Sequence, residues 1–176
     1  MTSRISLVNM VKEEFRHHIV SMFAVVLTFL AEILFFYFEI QRLLQYENTR
    51  QYYRDVIAAA AQPSFSAMVP TMILAVLLSV EYFSYLHSQK KMDFYMSLPI
   101  KRKEQFWMGN IVCGIIFLVP RVLSIGIECM IGYASGYGTG LFLQNMAWNL
   151  LCNVLVFLAF FMTMNLAMIM KSLSHV

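Results

Sequence analysis

Four ionisable residues sit inside long apolar runs: Glu32, Glu81, Arg121 and Glu128. A charge at membrane depth is costly, so residues of this kind are kept either to fix helix packing or to line a path. Arg121 and Glu128 are seven residues apart, which places them on one face of a helix with about 3.6 residues per turn. Glu32 comes 13 residues after Ile19, and Arg121 comes 14 after Trp107. A rise of about 1.5 Å per residue puts each roughly 20 Å along its run. Both runs read as leaving the same side of a membrane, so the two charges can meet at one depth. The sequence predicts a Glu32–Arg121 pair. Glu81 and Glu39 lie near the ends of their runs, where a carboxylate reaches water.

Asn145, Asn149 and Asn153 recur every four residues along one helix face. Amides at this spacing bond between helices, and such glue is expected here before a substrate groove. Other chemistry is poorly represented. Cys113, Cys129 and Cys152 lie in apolar runs at separations of 16 and 23 residues, which is no metal-ligand spacing. They read as buried apolar thiols. The 14 methionines scatter around all helix faces, as packing residues do, and not as a copper site. His17 and His18 read as interfacial anchors. No His-Glu-x-x-His, Ser–Lys or paired-aspartate arrangement occurs, and there is no Walker motif. No catalytic residue, metal or bound cofactor is expected on this chain, and an intramembrane enzyme is the weakest reading.

The elements that must carry these residues are set by composition. Of 176 residues, 60% are hydrophobic and 13% charged, whereas a soluble domain carries about a quarter charged residues. Apolar runs of about 20 residues alternate with short charged clusters, as in membrane helices. Ten-residue alternating segments, the mark of a β-barrel, are missing. The fold class expected is all-α, a polytopic membrane bundle of about four transmembrane helices. The spans run over residues 18–43, 64–87, 105–133 and 141–170, with Pro70 near the start of the second and Pro120 inside the third. The first run is too long for a signal-peptide core and has no small-residue cleavage site, so it reads as a retained span. Residues 3–16 pattern as an amphipathic helix in the interface, or as a solvated extension of the first span. Residues 45–63 form a polar connection with a short helix over 52–61. Residues 134–140, Ala-Ser-Gly-Tyr-Gly-Thr-Gly, form a tight uncharged turn. Gly132 and Gly136 have GxxxG spacing but run into that turn, so they read as turn geometry before dimerisation.

Basic residues orient the spans. Nine flank one side: three at the N-terminus, five in residues 88–104, and Lys171. Three flank the other: Arg42, Arg50 and Arg54. The positive-inside rule then puts both termini and the 88–104 loop in the cytoplasm, within a cell membrane. A nucleic-acid partner is not expected, since the basic residues flank apolar runs and form no aqueous basic face.

The 88–104 loop carries the functional signal. Ser97 can cap a helix with Pro99 in its first turn, and Met92, Tyr95 and Met96 share one helical face. Taken by itself, the loop either docks a soluble partner or only enforces orientation. Its run Ser97-Leu98-Pro99-Ile100-Lys101-Arg102-Lys103-Glu104 resembles the LP-(I/V)-(S/K)-R-x-E segment between the second and third spans of bacterial exporter-type ABC transporter permeases. The preceding Leu86-His87-Ser88-Gln89-Lys90-Lys91-Met92-Asp93 is similar to a subgroup common in Gram-positive bacteria. The likeness extends over essentially the whole chain, because residues 3–16 match the position of that family's interfacial elbow helix. It implies that the loop is a coupling helix. Met92, Tyr95, Met96, Ser97, Leu98, Pro99, Ile100 and Arg102 would contact a separate ATP-binding cassette subunit, which would hold ATP and Mg. It also implies a second permease subunit as partner, identical or not. Such permeases usually have six or more spans, so the chain is expected to be an N-terminal portion of a longer one. The alternative function is a membrane protein that forms no path itself, such as a substrate-binding subunit or an immunity-type protein. The transported solute is not legible.

Overall fold

A computed structural model describes residues 19–45, 56–58, 61–83 and 102–173. The described residues are helical apart from short turns and form four helices: α1 (Ile19–Leu44), α2 (Phe65–Phe83), α3 (Arg102–Ala134) and α4 (Gly140–Leu173). The interfacial helix expected over residues 3–16 and the loop residues 88–101 lie outside the described residues. Arg102 is the first residue of α3, three residues before the expected start of that span.

Three helices contain stretches long and apolar enough to cross a membrane: Ile19–Arg42, Gly109–Ala134 and Gly140–Met168. The 26 residues of α1 extend about 39 Å against a hydrocarbon thickness of about 30 Å. The second span, expected over 64–87, is described only as far as Phe83, and its apolar stretch Met68–Phe83 is shorter than the other three. The expected count of four is thus three full-length helices and one shorter apolar helix.

Polarity is distributed inside out. Val20, Phe23, Phe35 and Phe38 of α1, Leu123 and Met130 of α3, and Leu166 and Met170 of α4 are largely exposed. Meanwhile Arg121, Glu128, Thr71, Ser79 and four asparagines are buried. In water, so continuous an apolar exterior would drive aggregation. In lipid it matches the solvent, and the interior can hold polar groups that bond across helices. The chain is a polytopic helical bundle of the membrane-embedded kind.

Contacts fix the topology. Phe29 meets Phe117, and Glu32 meets Arg121, so α1 and α3 run parallel. Thr71 meets Asn153 and Ser79 meets Asn165, so α2 and α4 run parallel. Arg121 meets Asn149 while Asn110 meets Asn165, so α3 and α4 are antiparallel. The most extensive contacts are α2 with α4 and α1 with α3. Helices adjacent in sequence are therefore not the tightest partners in space.

The α3–α4 turn is specified by its own residues. Gly136 has φ +79°, a conformation that favours a residue without Cβ. Its N–H bonds to the Tyr133 carbonyl and the Tyr137 N–H to the Gly132 carbonyl, each at 3.0 Å, closing α3 with a Schellman motif. The Thr139 hydroxyl then accepts the Phe142 N–H at 3.2 Å and caps α4. Gly132 serves a different need, because a Cβ there would lie 2.6 Å from the buried Phe142 ring. The glycine spacing is thus used inside the chain, as turn and close approach. Gly132→Ala is expected to destabilise the bundle by about 1–3 kcal/mol through overpacking, checked by thermal unfolding in detergent. A change near zero would show that Phe142 moves aside freely.

Candidate functional site

Two apolar clusters fill the bundle, one at each end. The first joins Val25 and Phe29, Leu74 to Phe83, Val112 to Phe117, and Phe157 with Phe161. The second joins Ile40, Ile57, Ala58, Ala61, Ile125, Tyr137, Phe142 and Met146. Between them lies a layer of polar side chains contributed by all four helices. Glu32 falls between Phe29 and Ile40, Arg121 between Phe117 and Ile125, Asn149 and Asn153 between Met146 and Phe157, and Thr71 just before Leu74. Arg121 is the thirteenth of the 26 residues from Gly109 to Ala134, and Asn153 the fourteenth of the 29 from Gly140 to Met168. The layer is at the middle of the spans.

Arg121 is the hub. One arm of its guanidinium, Nη1, donates to Glu32 Oε2. The other, Nη2, donates to Asn149 Oδ1 at 2.9 Å. Its Cζ stands 5.2 Å from the centroid of the Phe29 ring, a cation–π contact. From Asn149 the network continues. Asn153 Nδ2 donates to Asn149 Oδ1 at 2.6 Å and to its carbonyl at 2.9 Å, and Asn153 Oδ1 accepts the Thr71 hydroxyl at 2.6 Å. Asn145 and Asn149 also donate to the carbonyls of Ala58 and Ala61, tying the stretch before α2 to α4. Aromatic rings close the layer on the Ile19 side of the bundle: Phe117 stacks on Phe157 at 4.0 Å, and Phe29 meets Phe117 edge-on. The arrangement is a desolvated set of charges and amides held between dry seals, so each bond in it is electrostatically strong and each loss is costly. Glu32 Oε1 and Arg121 Nε are buried without a hydrogen bond.

The predicted Glu32–Arg121 pair is thus present, and Asn149 and Asn153 of the three predicted asparagines join it, while Asn145 bonds to the Ala58 carbonyl. Glu128 is buried two turns further along α3, outside the layer. Glu81 is not part of the layer. It lies with Ser21 on a cleft of about 250 Å³ between α1 and α2, otherwise lined by apolar residues. Met92, Tyr95, Met96, Ser97, Leu98, Pro99 and Ile100 fall outside the described residues.

A second polar network was not foreseen. Ser79 donates to Asn165 Oδ1, Asn165 donates to Asn110 Oδ1 at 3.0 Å, and Asn110 donates to the Phe106 carbonyl at 2.7 Å. Its signal was present on α4. Every fourth residue from Asn145 is buried: Asn145, Asn149, Asn153, Phe157, Phe161 and Asn165. A period of four traces the ridge along which helices pack, and following it past the apolar Phe157 and Phe161 reaches Asn165. Thr71 and Ser79 lie eight residues apart, two such steps along the facing α2.

Among the described residues no group of three His, Cys, Asp or Glu side chains could hold a metal ion. No protein family, curated protein or solved structure matches this chain.

Proposed function

We propose that this chain is a membrane-spanning permease subunit of an ABC transporter of exporter type. ATP would be hydrolysed, with Mg, on a separate ATP-binding cassette subunit docked on the 92–102 segment. The termini and that loop would face the cytoplasm of a cell membrane, and a second permease subunit would complete the path. One observation carries the reading. The Leu98-Pro99-Ile100-Lys101-Arg102 run leads directly into α3, a helix continuous from Arg102 to Ala134 that carries Arg121. A push on the loop is then delivered as a rigid-body displacement to the polar layer about 28 Å away, at about 1.5 Å per residue. Pro120, one residue before Arg121, removes the hydrogen bond to the Ile116 carbonyl and supplies a flexing point.

The test is purification of the tagged chain from its native membrane, followed by assay of the complex in lipid nanodiscs. An ATP-binding cassette subunit is expected to co-purify. Leu98→Asp or Arg102→Glu is expected to lower transport per ATP about ten-fold or more, with membrane insertion unchanged. A well-inserted chain that brings down no such subunit would overturn the reading in favour of a protein that forms no path.

A further inference from the structure

The four helices form two pairs. The most extensive contacts join α1 to α3 and α2 to α4, and each pair is stitched by its own bonds. Glu32 meets Arg121 and Phe29 meets Phe117 within the first. Thr71 meets Asn153 and Ser79 meets Asn165 within the second. The seam between the pairs is thinner. Two side-chain hydrogen bonds cross from α3 to α4, Arg121 to Asn149 and Asn165 to Asn110. Phe117 stacks on Phe157 across it, Phe83 meets Phe106, and the Tyr82 ring lies against Gly109 in space that a Cβ would fill.

The crossing bonds are arranged so that parting the pairs strands few groups. Arg121 keeps Glu32, and Asn149 Oδ1 keeps Asn153. Asn165 Oδ1 keeps Ser79, and Asn110 Nδ2 keeps the Phe106 carbonyl of its own helix. The groups released are Arg121 Nη2, Asn165 Nδ2 and Asn110 Oδ1, which entering water can satisfy.

The two ends of the seam differ. At one end α3 passes into α4 through residues 135–139, Phe142 packs against Gly132, and Phe36 of α1 stacks on Phe142 at 6.3 Å. At the other end residues 84–101 separate α2 from α3, a run long enough to reach about 60 Å when extended. There the cleft of about 250 Å³ already holds α1 off α2.

We propose that the bundle is a one-ended gate, in which the α1–α3 pair swings away from the α2–α4 pair about the α3–α4 turn. The Phe117–Phe157 stack is the bar of the gate, because it lies between the Asn110–Asn165 bridge and Arg121. Opening admits water past Asn110 and Asn165 to Arg121 and Asn149, and each pair moves as one body. The device is built into this chain and stands whether or not an ATPase binds its loop.

The test is pulsed electron–electron distance measurement on the full chain in lipid nanodiscs, without any partner. Nitroxide labels go on lipid-exposed positions in a Cys113→Ala, Cys129→Ala, Cys152→Ala parent. Ile111→Cys with Leu166→Cys spans the free end of the seam and is expected to show two distances. Met130→Cys with Leu143→Cys at the turn end is expected to show one. So are Phe23→Cys with Ile111→Cys inside the first pair and Leu77→Cys with Leu166→Cys inside the second. Asn110→Leu removes the bridge to Asn165 and leaves Ser79 its partner. It is expected to raise the ratio of the long to the short Ile111–Leu166 distance about three-fold, the worth of one interhelical bond. Gly109→Ala, which displaces the Tyr82 ring, is expected to raise it as well. A single Ile111–Leu166 distance in the parent and in both variants would overturn the proposal. Equal broadening of the distances inside the pairs would overturn it too, because the bundle would then be loosening as a whole.

Discussion

Reversing either charge of the central pair is expected to destabilise the bundle by about 3–5 kcal/mol, and reversing both to recover most of the loss. In Glu32→Arg, two guanidiniums face each other inside the bundle, with the Asn149 amide oxygen left to accept from them. In Arg121→Glu, two carboxyl groups face each other in the layer and the contact over Phe29 is lost. The double reversal places opposite charges back in contact. Asn149 must then turn its amide to donate to the carboxylate, which gives up its acceptance from Asn153, so recovery is expected to be incomplete by about 1 kcal/mol. Thermal unfolding in nanodiscs, with the yield of monodisperse protein, reads all three variants. A double reversal no more stable than the single ones would show that orientation of the amides, and not the charge pair, joins α1 to α3.

Asn153→Leu is expected to cost about 2 kcal/mol. Asn153 is fully buried and takes part in three hydrogen bonds, one with Thr71 and two with Asn149. Interhelical hydrogen bonds in membranes average about 0.6 kcal/mol and reach about 1.7. Leucine nearly conserves the volume, so the loss reports polar bonding more than packing. It falls on the α2–α4 pair, because Thr71 is the α2 residue in the layer. Disulfide trapping between paired cysteines on α2 and α4 is therefore expected to slow alongside the drop in unfolding temperature. Full stability in Asn153→Leu would mean that Thr71 bonds back to its own helix, as Thr163 does to the Ala159 carbonyl at 3.0 Å.

The parts legible in the sequence were those governed by one-dimensional rules. Hydropathy located the helices to within a few residues at most ends, because lipid demands long apolar runs whatever the tertiary arrangement. Rise per residue placed Glu32 and Arg121 at one depth, because both helices start from the same side. Glycine chemistry gave the α3–α4 turn. Helix pairing was legible only through the Glu32–Arg121 charges. They point α1 to α3, and nothing in α2 states that its most extensive partner is α4. The second network was missed for a related reason: Ser79, Asn110 and Asn165 are single polar residues on three helices, and only pairing in space makes them a set. The burial of Ile57, Ala58 and Ala61 was also hidden, since they sit in a stretch whose polar residues suggested a surface connection. That stretch is drawn in by the amides of Asn145 and Asn149, which satisfy its carbonyls.

Contact between Glu32 and Arg121 also makes the centre of the bundle electrically silent. A single charge halfway through a bilayer feels about half the membrane potential, which is about 1 kcal/mol for 100 mV. Here the two opposite charges share one depth, so the work done by the field on one is undone on the other. A voltage across the membrane leaves this arrangement no more and no less stable. It begins to matter once α1 and α3 slide past each other by a turn and the charges separate along the field.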